Sequence, residues 1–112
     1  LEAIDIIDQR TGTTSRRDAS VVFVLIGAEA ATDWLPSEIL RDEHGFVVTG
    51  TDAMKAGHWV ADREPFALET SANGIFAIGD IRSGSVKRVA ASVGEGGVAI
   101  ALVHRYLQQA QP

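Results

Sequence analysis

Thr70-Ser71-Ala72-Asn73-Gly74-Ile75-Phe76-Ala77-Ile78-Gly79-Asp80 is the stretch on which the reading of this chain turns. Gly74 to Gly79 encloses four apolar residues between two glycines, which reads as a short buried strand. Asp80 follows it directly, Ile81-Arg82-Ser83-Gly84 makes a short turn, and Ser85 stands where a helix N-cap belongs. From Val86 to about Gln108 there is no proline, and Val86, Val89, Ala90, Val93, Gly97, Ile100 and Ala101 fall at helical spacing. The spacing predicts one long helix of roughly six turns at ~3.6 residues each. Its glycines, Gly94, Gly96 and Gly97, each cost about 1 kcal/mol against alanine. They call for close packing against a backbone or a flat ligand, or else for a break in the helix at Gly94–Gly97.

Upstream, Leu1, Ala3, Ile4, Ile6 and Ile7 alternate with Glu2, Asp5 and Asp8 and stop at Thr11-Gly12-Thr13, a strand and a turn. Val21-Val22-Phe23-Val24-Leu25-Ile26 is a continuous apolar run ended by Gly27, suited to a strand buried on both faces and paired with the first. Residues 28–40 read as connector, with a single helical turn from Pro36. Gly45-Phe46-Val47-Val48-Thr49-Gly50 reads as a short strand, and Thr51 to Glu64 as a surface loop. The opening Leu1-Glu2-Ala3-Ile4 lies within a strand-like alternation, as expected of a piece of a longer chain.

Composition narrows the chemistry. The 112 residues carry 10 Lys+Arg against 15 Asp+Glu, a net charge of −5, with 46% hydrophobic residues and no cysteine. One domain's worth of core is available. The acidic balance argues against nucleic acid or an anionic membrane surface as the main partner. Without cysteine, these residues hold no disulfide, thiolate metal site or catalytic thiol. No apolar run reaches the ~18 residues of a membrane span, and a cytoplasmic setting is the expectation.

Asp80 is the leading candidate site residue. A carboxylate leaving the carboxyl end of a strand beside a helix N-terminus occupies the ligand position of open α/β sheets and accepts hydrogen bonds from sugar-like hydroxyls. The first N–H groups of the helix, at Val86, Lys87, Arg88 and Val89, lack intrahelical acceptors and suit phosphate or an electron-rich carbonyl. The plainer reading, that Asp80 closes a turn and Ser85 caps a helix, stays open on the residues alone. Gly94-Glu95-Gly96-Gly97-Val98-Ala99 spells G-x-G-x-x-A but lies within the helix, the wrong context for a dinucleotide fingerprint. Gly27-Ala28-Glu29 lacks a second glycine at the right spacing and reads as a crossover. His44, His58 and His104 are scattered, at no metal-ligand spacing, and read as surface residues; Trp34 and Trp59 read as loop anchors or interface residues.

The Thr70–Asp80 element, with Ser85-Val86-Lys87-Arg88-Val89-Ala90 and Gly94-Glu95-Gly96, resembles the C-terminal part of the thioredoxin reductase-like flavoproteins of the pyridine nucleotide-disulfide oxidoreductase superfamily. The resemblance covers the whole chain. It implies an α/β fold: a partial FAD/NAD(P)-binding Rossmann-like domain with the last strands of an NADPH-binding domain. Residues 1–35 would be the end of the NAD(P)H-binding domain and the crossover, and residues 36–112 the C-terminal segment of the FAD-binding domain.

By the same resemblance Gly79 and Asp80 meet the ribityl chain of FAD, and Lys87, Arg88 and Val89 meet the pyrimidine edge of the isoalloxazine. Lys87-Arg88 stands where Arg-Gln is usual, and the proline common after Ile26-Gly27 is absent. The Lys-Arg-Val-Ala and Gly-Glu-Gly variants look closer to reductases fused to a regulatory domain. The function implied is electron transfer from NADPH through FAD to a disulfide of a thioredoxin-like protein or another acceptor, in a homodimer, with the fragment inactive alone. Two alternatives stand beside it: an autonomous half-domain that dimerises as a binding or assembly module, and a ferredoxin–NADP reductase-type flavoprotein without a redox dithiol.

Overall fold

A computed structural model describes residues 1–110. The chain begins with an antiparallel hairpin of β1 (Ala3–Ile7) and β2 (Thr14–Asp18), in the register Ala3 to Asp18 through Ile7 to Thr14. Asp8 makes the turn: its carboxylate accepts from the Arg10 N–H at 2.8 Å and its carbonyl from the Gly12 N–H at 2.7 Å. That register corrects the expected pairing of the first strand with Val21–Ile26. The turn sets Thr14 as the first returning residue, so β1 is used up at Asp18 and the apolar run falls beyond its end. Val21–Ile26 has no strand partner among the described residues and lies exposed, Leu25 by 91% and Ile26 by 90%. A run of β-branched residues supplies propensity, but burial requires neighbours to pair with.

The body of the chain forms around Ile39, Val47 and Ala77, with Leu35, Ala72 and Ile81 packed against them. Gly45–Gly50 and Gly74–Gly79, expected as strands, are extended segments joined by single bridges. Val47 pairs with Arg41 and with Arg82, Thr49 with Thr70, and Glu69 with Phe76. The Ala77 N–H reaches the Leu68 carbonyl at 3.0 Å and the Val47 N–H the Ile81 carbonyl at 2.9 Å. Buried side chains complete the accounting: Ser71 Oγ donates to the Glu38 carbonyl and accepts from the Leu40 N–H, both at 2.7 Å. Within the expected loop 51–64, the first residues wind into a short helix, α1 (Thr51–Lys55), which buries Ala53.

The long helix, α2 (Val89–Ala110), runs unbroken through its three glycines. It starts three residues later than expected, because Ser85 does not cap it: the Ser85 hydroxyl accepts from the Lys87 ammonium at 2.8 Å. Ser92, Glu95, Gly96, Ala99, Val103 and Tyr106 make the half-buried face toward the body. Val89, Val93, Gly97 and Ile100 lie on the bare side. The place of a Gly96 side chain would be 3.7 Å from Ile78 Cδ1, whereas Gly94 and Gly97 face open space. Among the described residues no helix is long and apolar enough to cross a membrane.

Candidate functional site

The segment Gly79–Ile81 is a single 3-10 turn entered from the extended Ile78, and it docks on the first turns of α2. Gly79 has φ of 69°, where a side chain is strained. A β-carbon there would also stand 3.0 Å from Ser92 Oγ and 3.2 Å from Ser92 Cβ. Glycine thus allows the turn and the helix to approach closely, and that approach brings Asp80 to α2. The Asp80 carboxylate is exposed and accepts from Ser92 Oγ at 3.3 Å.

Lys87 is half-buried and turned inward. Its ammonium donates to the Asp80 carbonyl at 2.7 Å, Ser85 Oγ at 2.8 Å and the Arg82 carbonyl at 3.2 Å, and lies 4.0 Å from the centre of the Phe46 ring. An ammonium has three donors, and all three are engaged within the protein. Arg88 is exposed, with Nη1 on the Lys87 carbonyl at 3.0 Å. Val89 is the first residue of α2. The first bond onto the helix is from the Ser92 N–H to the Arg88 carbonyl at 3.0 Å. The N–H groups of Val89, Ala90 and Ala91 therefore precede the helical ladder, at the positive end of its dipole. All five candidate residues come together at this one end of α2, though the helical donors begin at Val89 rather than Val86.

Two residues whose roles the sequence reading did not assign complete the arrangement. Glu95 accepts from the Gly79 N–H at 2.7 Å and from Arg82 Nε at 3.2 Å, and Arg82 Nη2 closes on its other oxygen. The Arg82 hydrogen bonds hold the Glu95 carboxyl below the usual carboxylate range; burial opposes this and the Gly79 N–H adds to it. Glu95 in turn raises Arg82. Both stay ionised at neutral pH, and their charges cancel. The outward groups are then the Asp80 carboxylate, the Arg88 guanidinium and the bare N–H groups. This arrangement accepts hydrogen bonds from a polyol and donates them to an electron-rich carbonyl, so the residues fit a flavin with its sugar-alcohol chain.

An apolar cleft of about 300 Å³ adjoins the turn, lined by Trp34, Leu35, Ile75, Ile78, Ile81 and neighbouring core residues, with no titratable side chain. His44, His58 and His104 lie on the surface, as expected. Trp59 anchors its loop through Nε1 on the Arg63 carbonyl.

The fold is of the mixed α/β class. It matches a solved thioredoxin reductase from Streptococcus pyogenes with a TM-score of 0.63 at 25% identity, over 96% of this chain and 30% of that one. Thioredoxin reductase of Chlamydia pneumoniae is 29% identical over 107 residues, 96% of this chain and 30% of the relative. Thioredoxin reductase 2 of Arabidopsis thaliana is 31% identical over 99 residues, 88% of this chain and 22% of the relative. No family model matches. The chain matches a portion of thioredoxin reductase, spanning about 30% of the length of the first curated relatives.

Proposed function

We propose that these residues complete the flavin pocket of an FAD- and NADPH-dependent reductase, as the C-terminal segment of its FAD-binding domain. The division at residue 35, with the end of an NADPH-binding domain before it, belongs to the same reading. The observation that carries it is the Gly79-Asp80 turn held against the start of α2, with the exposed Asp80 side chain placing Oδ1 3.3 Å from Ser92 Oγ. Asp80 accepts the ribityl hydroxyls. The N–H groups that open α2 at Val89 face the carbonyl-rich pyrimidine edge of the ring, where negative charge grows on reduction. Lys87 acts from behind, through the Asp80 and Arg82 carbonyls, and Arg88 supplies the outward positive charge.

The flavin, when bound, accepts hydride from NADPH and passes electrons on. This segment binds and orients it, and by itself lacks the remaining cofactor elements. The relatives' names favour a thioredoxin-like protein as acceptor and a reductase over an autonomous dimerising module. A cytoplasmic homodimer is the setting proposed. Asp80→Ala in the full-length protein tests the reading: purified protein is expected to lose most of its visible flavin absorbance per polypeptide. Normal flavin content in that variant would overturn the assignment.

A further inference from the structure

Asp80 is held loosely by its own side chain and firmly by its neighbours. Its carboxylate has one protein partner, Ser92 Oγ at 3.3 Å. The residues on either side of the Asp80-Ile81 pair, by contrast, converge on a single side chain one turn further along α2. The Gly79 N–H lies 2.7 Å from Glu95 Oε2, Arg82 Nε lies 3.2 Å from the same oxygen, and Arg82 Nη2 binds Oε1. The Arg82 N–H closes the turn on the Gly79 carbonyl at 3.1 Å. Gly79 is buried, so its N–H without Glu95 would be a buried donor lacking an acceptor. Glutamine at position 95 offers one carbonyl oxygen, which in the place of Oε2 still serves the Gly79 N–H and Arg82 Nε, but it sets an amide NH2 against Arg82 Nη2 where the second carboxylate oxygen accepted, and it removes the negative charge that paired the guanidinium.

We propose that Glu95 is a positioning residue of the flavin pocket, fixing through the Gly79 N–H and the Arg82 guanidinium the place from which Asp80 meets its ligand. The inference rests on the flavin reading above. Glu95 touches no part of the ligand; it sets the backbone that presents Asp80.

The experiment uses the full-length protein and FAD itself. Glu95→Gln is expected to weaken FAD affinity about tenfold, the order of one lost charge-assisted hydrogen bond, and to alter the visible circular-dichroism band of the flavin at saturating FAD. Glu69→Gln breaks another well-shielded ion pair of the same body, Arg63–Glu69, without touching Gly79 or Arg82. It is expected to lower the melting temperature and leave that band unchanged. If Glu95→Gln yields no folded protein, Arg82→Lys takes its place, with the same change expected at smaller size. Wild-type affinity and band shape in the variant, or an equal change in Glu69→Gln, would overturn the positioning role. A wild-type protein that binds no FAD would instead overturn the flavin reading.

Discussion

The Glu69 carboxylate is fully buried, and the Arg63 guanidinium closes on it with two hydrogen bonds, Nη1 to Oε2 at 2.8 Å and Nη2 to Oε1 at 2.6 Å. The Phe66 N–H at 2.9 Å and the Gly74 N–H at 2.8 Å occupy the rest of the carboxylate. Arg63 is itself packed among the rings of Trp59, Phe66 and Tyr106, at 5.2, 4.7 and 5.3 Å from their centres. Removing one partner leaves a buried charge uncompensated, which costs about 3–5 kcal/mol. Arg63→Met is expected to destabilise the full-length protein by about 3 kcal/mol in urea unfolding. A loss below about 1 kcal/mol would mean that solvent compensates Glu69.

Acid should weaken the fold through the same carboxylates. For Glu69, burial raises the carboxyl, but the hydrogen bonds from Arg63, Gly74 and Phe66 outweigh it and hold the group below its ordinary 4.5. Glu95 is likewise lowered, first by Arg82. A lowered folded value means that the unfolded chain binds more protons below 4.5, so stability rises with pH through that window. The contribution is complete above 4.5 and is lost as pH falls through the folded values. Urea midpoints across this acid range are expected to fall more steeply with acidification in the wild type than in Glu69→Gln. Parallel curves would refute the linkage.

Gly79→Ala combines two penalties: a left-handed backbone costs about 1–2 kcal/mol for a residue with a β-carbon, and that carbon meets Ser92 at 3.0 Å. Thermal melting should show the loss. Adding Ser92→Gly, which removes the obstructing side chain, should recover the steric share alone, less a glycine's helix cost of about 1 kcal/mol. Full recovery would show that the backbone at Gly79 carries no strain.

Val89→Pro probes the helix donors without the carboxylate. Proline is tolerated at a first helical position and removes only the N–H. The melting temperature of the full-length apoprotein is expected to hold while FAD affinity drops about tenfold, as for a hydrogen bond to a group gaining charge. Unchanged affinity would place the ring edge away from Val89.

Much of the candidate site is legible in the sequence because its signals are local. Gly79-Asp80 followed by helical spacing puts a carboxylate beside a helix start whatever the rest of the fold does, and α2 announced itself by periodicity and by the absence of proline. The spacing places its first residue too early because Ser85 has the chemistry of a cap, whereas its hydroxyl accepts from the Lys87 ammonium; only the fold decides between those partners. Val21–Ile26 shows the opposite limit, since an apolar run records propensity and not the presence of a partner strand. Arg63–Glu69 and Arg82–Glu95 follow no spacing rule. Their one sequence signal was a carboxylate set in an apolar or glycine context, at Leu68-Glu69-Thr70 and Gly94-Glu95-Gly96.

Tyr106 lies against Gly74, where a β-carbon would meet its ring at 2.7 Å, while Glu95 holds the turn at Gly79. The two attachments are about three helical turns apart and so lie on one side of α2. Inserting or deleting a single residue between them would swing one attachment about 100° around the axis. In the descent of this protein, then, substitutions on the bare side of α2 meet no resistance from these contacts, but a change of length in this stretch does.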